Sequence, residues 1–245
     1  GLVPSYAHIR RGIELGFFRG RCGRPLIYDG TEPVAIDAQA GKGKLTRFLG
    51  VNMVSPRTAH LTKIITDPKD AELAWVSWKT LERQGYRVRF INASRLYGYP
   101  SESYNFNTRL LEIASKPALR PLVWEAAYDA ASYLVPVDPN PHHKWIGQGV
   151  RTAFALYNKI TALYPSERWP CTVGGLWDFF GRNSFDPADM KRAKTALFII
   201  GSARSDTSRN FVGAMAAAVI ERFADAHGPL RALVVGEEWG QLYVS

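Results

Sequence analysis

Pro33–Thr46, PVAIDAQAGKGKLT, is the stretch from which the rest of the chain can be read. Val34 and Ile36 read as a short buried strand. Ala38, Ala40, Gly41 and Gly43 then make a turn without bulky side chains, and Lys44 opens an amphipathic helix. A phosphate-binding loop needs that order. Small residues let backbone N–H groups curl round an anion, the helix N-terminus adds a partial positive charge, and the lysine adds a full one. Against the pattern G-x-x-x-x-G-K-[ST], Gly43 and Lys44 match. Ala38 replaces the first glycine, Leu45 stands where the magnesium-binding hydroxyl belongs, and Thr46 offers a hydroxyl one residue later. A plain glycine turn between strand and helix is the competing reading.

Upstream, Ser5–Phe18 predicts a short helix, with Ser5 as cap and Ile9, Ile13 and Phe17 at helical spacing. Pro25–Tyr28 and Pro33–Asp37 read as strands separated by the Asp29–Gly30 turn. Downstream, Lys44–Val54 continues as a helix up to Ser55–Pro56. Leu61–Thr66 is a second strand, running into Asp67-Pro68-Lys69-Asp70. Asp67 and Lys69 therefore stand at a strand's carboxyl end, the edge where parallel α/β sheets hold ligands, beside the loop following the first strand. A turn and cap without ligand is the alternative. Asp70 is expected to cap a helix over Ala71–Gln84, Gly85 to stop it, and Tyr86–Ile91 to form a third strand. This alternation predicts a doubly wound α/β nucleotide-binding core.

Asn92–Asn107 is rich in Tyr, Ser, Pro and Gly and reads as a long surface connection. Helices are expected after it at Thr108–Ser115, Pro121–Leu134, Trp145–Leu163, Gly174–Phe180, Pro187–Ile199 (with a basic stripe of Lys191, Arg192 and Lys194) and Asn210–Ala226. The expected division is an N-terminal part of the α/β core over residues 1–110 and a mostly all-α domain over residues 111–226. Residues 227–245 are either a returning core strand or the tail of the all-α domain.

With 245 residues, 46% of them hydrophobic, the chain can bury a substantial core in one or two domains. Its net charge of +9 favours polyanionic partners such as nucleic acid or nucleotides. Cys22 and Cys171 have no ligand-like spacing, so a reducing cytoplasm is expected. No apolar run approaches the ~18–20 residues of a membrane span, and Gly1–Arg11 does not read as a signal peptide. Tyr97, Tyr99 and Tyr104 beside Arg95 suit either stacking on single-stranded DNA or ordinary packing. His142–His143 reads as a polar loop, and Ser202–Ser208 as a capped loop between helices.

Taken together, the chain resembles the soluble part of type IV secretion coupling proteins, the TraG/TraD-type conjugative DNA-transfer ATPases. GRPLIYDG resembles the strand before that family's nucleotide loop. AQAGKGK followed by FLGVNMV resembles its A-P-T-x-S-G-K and the helix after it. LTKIITDPKDAE resembles its strand closing on D-P-K-G-E, with Asp70 where the family carries glycine. GYRVRFIN followed by SYNFN resembles its strand and Y-N-P segment, with Phe106 in place of proline. HHKWIGQGVRTAFALY resembles the opening of its all-helical domain, where Trp145 and Ala153 echo F-W-x-x-x-A.

The resemblance implies a RecA-like P-loop nucleotide-binding core with an inserted all-α subdomain. It implies ATP and Mg2+ as cofactors, and a homo-hexamer at the cytoplasmic face of the bacterial inner membrane. DNA is the implied substrate, with relaxosome and secretion-channel proteins as partners. The implied nucleotide-binding residues are Ala40, Gly41, Lys42, Gly43, Lys44, Leu45, Thr46, Asp67 and Lys69, with Gly41, Gly43 and Lys44 on the β- and γ-phosphates. In RALVVGEEWGQL, Leu233–Val235 resembles the acidic strand, and Glu237 and Glu238 stand for the family's D-E. Lys44, Glu237 and Glu238 are then the implied catalytic residues, with Thr46 and Glu237 at the metal. In a second alignment those glutamates lie in a solvated loop and the acidic strand falls beyond Ser245. The family's later core strands, arginine finger and membrane anchor are not recognised, so a fragment, a truncated product and a degenerate relative all remain as readings. A non-catalytic DNA- or protein-binding module is the main functional alternative, and a P-loop kinase or other nucleotide hydrolase a weaker one.

Overall fold

The computed structural model describes residues 11–17, 25–30, 34–35, 42–105, 107–135, 144–166, 171, 184–228, 232–236 and 241–244. Its strands are β1 (Ile13–Phe17), β2 (Pro25–Tyr28), β3 (Val34–Ala35), β4 (Thr62–Asp67), β5 (Arg87–Ile91), β6 (Thr195–Ile200), β7 (Ala232–Gly236) and β8 (Gln241–Val244). The helices are α1 (Gly50–Val54, entered through a wide π turn at Leu45–Leu49), α2 (Glu72–Arg83), α3 (Thr108–Ser115), α4 (Val123–Leu134), α5 (Lys144–Leu163) and α6 (Asp206–His227).

β4, β6 and β7 are buried along their whole length, as strands covered on both faces must be, and that explains their almost unbroken apolar and β-branched runs. They sit together in a six-stranded sheet of order β3-β8-β7-β4-β6-β5. The four strands β4 to β7 pair in parallel, while β8 is antiparallel to both β7 and β3. β3 therefore runs in the same direction as the four parallel strands.

The pleat sends alternate residues to opposite layers. Ile65, Phe90, Phe198 and Val235 pack with Met53 of α1 and with Leu73 and Leu81 of α2. Ile64, Ile91, Leu197, Ile199 and Val234 pack with Val212, Met215, Val219 and Phe223 of α6. Helices on both faces of a largely parallel sheet make a layered α/β fold. A smaller core of Leu110, Ala114, Val123, Ala127 and Ala162, with Cys171, joins α3, α4 and α5.

Two expectations change. Ile13–Phe17 is not helical but a strand paired with Pro25–Tyr28. A spacing of four residues is even, so Ile13 and Phe17 suit a two-residue alternation as well as a helix, and Gly12 and Gly16 take φ values of +130° and +139° that a helix does not contain. The remainder of the expected Ser5–Phe18 helix lies outside the described residues.

The expected helix over Pro187–Ile199 is one short turn at Pro187–Asp189 followed by β6. Lys194, with φ +46°, interrupts any helical continuation, and its basic neighbours lie on the turn ahead of the strand. Within residues 111–226, α3 to α5 pack together in the smaller core, while β6 lies in the sheet and α6 packs on its face. Within residues 227–245, Ala232–Gly236 forms β7, paired in parallel with β4. The expected helix Gly174–Phe180 lies outside the described residues.

Candidate functional site

Since β3 to β7 run the same way, their carboxyl ends share one edge of the sheet. The loop after β4 is knitted to the loop after β6 there. The Gly201 N–H donates to the Asp67 carbonyl at 2.9 Å, and the Asp70 N–H to the Gly201 carbonyl at 3.1 Å. Only glycine fits at residue 201, where a Cβ would stand 2.6 Å from the Val212 side chain. The Ala203 N–H donates to Asp70 Oδ1 at 3.2 Å.

Asp67 is fully buried, and its Oδ2 accepts the N–H of Ala74 at 2.8 Å. Ala74 is the third residue of α2, so Asp67 caps the helix from a distance. Asp70, the expected cap, makes no capping bond: the residue preceding α2 is Ala71, without a side-chain cap. Instead Asp70 and Ala71 take left-handed φ values of +53° and +63°. Aspartate tolerates that region better than most residues, which accounts physically for Asp70 at a position where a glycine would be at ease.

The loop ahead of α1 is described from Lys42 onward. Gly43 has φ +84°, and a Cβ there would lie 3.2 Å from Arg47 Cδ. Its carbonyl accepts the Arg47 N–H at 2.8 Å, and the Thr46 hydroxyl approaches it at 3.5 Å. Lys42 and Thr46 are exposed and Lys44 is half-buried. Leu45 packs against the core under α1 and α2, so the position next to the lysine serves packing. The π turn that follows requires Gly50, because a Cβ there would fall 2.9 Å from the Leu45 carbonyl oxygen. Ala40, Gly41, Glu237 and Glu238 lie outside the described residues; the two glutamates follow Gly236, the last residue of β7, directly in the sequence.

β8 and β7 intervene between β3 and β4, a lateral separation of ~14 Å at the usual strand spacing. Lys69 adjoins a cleft of about 460 Å3 lined by Lys69, Asp70, Ala71, Glu72, Trp75, Tyr97 and Tyr99. Its far wall is the loop after β5, organised by the fully buried Asn92. Asn92 Oδ1 accepts the Leu96 N–H at 3.0 Å, and Nδ2 donates to the carbonyls of Leu96 and Tyr99 at 3.0 and 3.4 Å. Tyr99 stacks on Phe90 with ring centroids 4.9 Å apart and meets Trp78 edge-on. Its hydroxyl pKa is raised by burial and then by the Asp67 carboxylate.

Trp75 has no role in the sequence reading, yet the helix pattern singles it out. The buried stripe of α2 is Leu73, Ala74, Ser77 and Leu81, and Trp75 falls off that stripe. Ser202–Ser208 is a capped loop as expected, although it joins strand to helix: the Ser205 hydroxyl accepts the Ser208 N–H, and the Ser208 hydroxyl accepts the Ser202 N–H. Tyr104 is buried beside Phe185 and packs in the core. His142 and His143 lie outside the described residues. Among the described residues no cluster of three or more His, Cys, Asp or Glu could hold a metal ion, and no helix is long and apolar enough to cross a membrane. No protein-family model matches the chain, and no curated protein matches it.

Proposed function

We propose that the chain is the nucleotide-binding part of a DNA-transfer ATPase of the type IV secretion coupling kind, with a RecA-like core and an all-α subdomain built around α3 to α5. The observation that carries this reading is the common direction of β3 and β7. In the sequence the glycine turn with Lys44 follows one strand and Glu237–Glu238 follow the other, and the carboxyl ends of those two strands lie at the same edge of the sheet with β8 between them. Phosphoryl transfer rests on positioning and charge neutralisation, so Lys44 would carry the largest electrostatic share at the phosphates. Mg2+ bound with ATP would neutralise the remaining phosphate charge; Thr46 and Glu237 would hold it, and Glu238 would orient the attacking water. The hexamer, the DNA and relaxosome partners and a place at the inner membrane's cytoplasmic face belong to the same proposal.

The test is thermal unfolding with Mg·ATP. At ligand a hundredfold above Kd, Tm rises by roughly 5–10 °C for a chain of this size, and Lys44→Ala abolishes the rise. Unchanged melting of the wild type with millimolar ATP would overturn the reading. The core packing of Leu45 favours a second reading, in which nucleotide or DNA is bound without hydrolysis. That version gives the same shift in Tm with no phosphate release, with or without DNA.

A further inference from the structure

We infer that the cleft between the start of α2 and the loop after β5 is a nucleobase-stacking site, separate from the loop around Lys44. Two rings border it without any ring partner or hydrogen bond among the described residues: Trp75, 75% exposed, and Tyr97, 71% exposed. Exposed rings of this size normally find cover, since each can bury on the order of 150–250 Å2.

Backbone strain gathers at the same place. Among the described residues, the non-glycine positions with left-handed φ are Asp70, Ala71, Arg95, Tyr97 and Lys194. All but Lys194 line the cleft or lie within two residues of Tyr97 on its wall. Such conformations are unfavourable for residues with a side chain and persist where the surrounding structure holds them, commonly at ligand sites. Here the Asn92 hydrogen bonds hold one wall, and the Gly201 and Ala203 bonds to Asp70 hold the other. The result is a rigid gap with π surfaces on its walls and the buried hydroxyl of Tyr99, unpartnered among the described residues, nearby.

The polar groups at the rim select the ring. Asp70 and Glu72 supply carboxylate acceptors for an exocyclic amine, and Lys69 supplies a cation for a phosphate. A base with its phosphate combines a flat π face, an amine edge and an anion, and aromatic stacking of this kind tolerates any base. The site does not rest on the Lys44 loop, which leaves the sheet at a strand three places away.

The experiment uses fluorescence anisotropy with a short labelled oligo(dA) strand, an abasic strand of equal length, and AMP as competitor. Trp75→Ala and Tyr97→Ala should each weaken binding of the dA strand by about tenfold while leaving Tm unchanged, because both side chains are exposed. Lys44→Ala should leave strand binding unaltered, which keeps this result independent of the ATP test. Displacement by AMP assigns the occupant to a free nucleotide, and failure of AMP to displace a bound strand assigns it to a single strand; both uphold base stacking. Equal binding of the abasic strand, wild-type affinity in both aromatic variants, or no binding of any of these probes would overturn it. So would a loss on Lys44→Ala as large as that on Trp75→Ala.

Discussion

Lys63 lies fully buried on β4, with its ammonium nitrogen 3.0 Å from the Thr58 carbonyl and 2.9 Å from the Thr58 hydroxyl oxygen. The face of Tyr86 lies 5.2 Å away, and Lys194 sits over the same ring at 4.8 Å. A neutral amine has two N–H groups, which match the two Thr58 oxygens. Burial first, and the Lys194 charge second, lower the amine's pKa to about 7 from 10.5. Between those values the unfolded chain binds a proton that the folded chain does not. Stability therefore rises with pH across that window, by up to ~1.4 kcal/mol per pH unit, and this contribution is flat below it. Measured by urea unfolding, the stability of the wild type relative to Lys63→Met should climb from about pH 7 to about pH 10. A difference independent of pH would mean that the amine stays charged. In the sequence, Lys63 is visible as a polar residue inside an apolar run. Its partners are not, because Thr58 reaches it only through the turn that precedes β4.

At the scale of elements, the start of α2 depends on a residue outside the helix. Asp67→Ala removes the buried acceptor of the Ala74 N–H and should cost roughly 1–3 kcal/mol. Hydrogen exchange should quicken in the first turn of α2 and not in α5; uniform protection would show that the cap is dispensable. The helices α3, α4 and α5 match their sequence expectations closely, because a periodic apolar face and local breakers act within a few residues. Thr195–Ile200 does not, because a six-residue apolar run suits a buried helix or a buried strand equally. The loop after β4 was legible as a turn at a strand's carboxyl end. The capping role of Asp67 was not, since it depends on how the chain turns back after Asp70.

Across the whole molecule, the helical group and the sheet layers are joined at Arg222 of α6. Its guanidinium reaches Asp186 Oδ2 at 2.7 Å and Glu112 Oε2 of α3 at 3.0 Å. The Arg222 hydrogen bonds hold the Asp186 carboxyl below the usual carboxylate range. A depressed carboxylate pKa adds stability that is present above the ordinary range and is lost as pH falls through the folded value. Arg222→Met should lower stability by roughly 1–3 kcal/mol near neutral pH, toward the smaller figure because its partners are partly exposed. The deficit should shrink under acid, with exchange rising in α3 before β4. Equal loss at all pH values would assign the effect to packing alone. Spacing, breakers and small residues act over one or two turns of chain, and they marked most helices, the edge strands and the bend before Lys44. Which strands became neighbours and where β6 and β7 entered the sheet depended on partners more than a hundred residues apart. A backbone donor or acceptor can be satisfied locally or across a sheet, and long-range burial settles which.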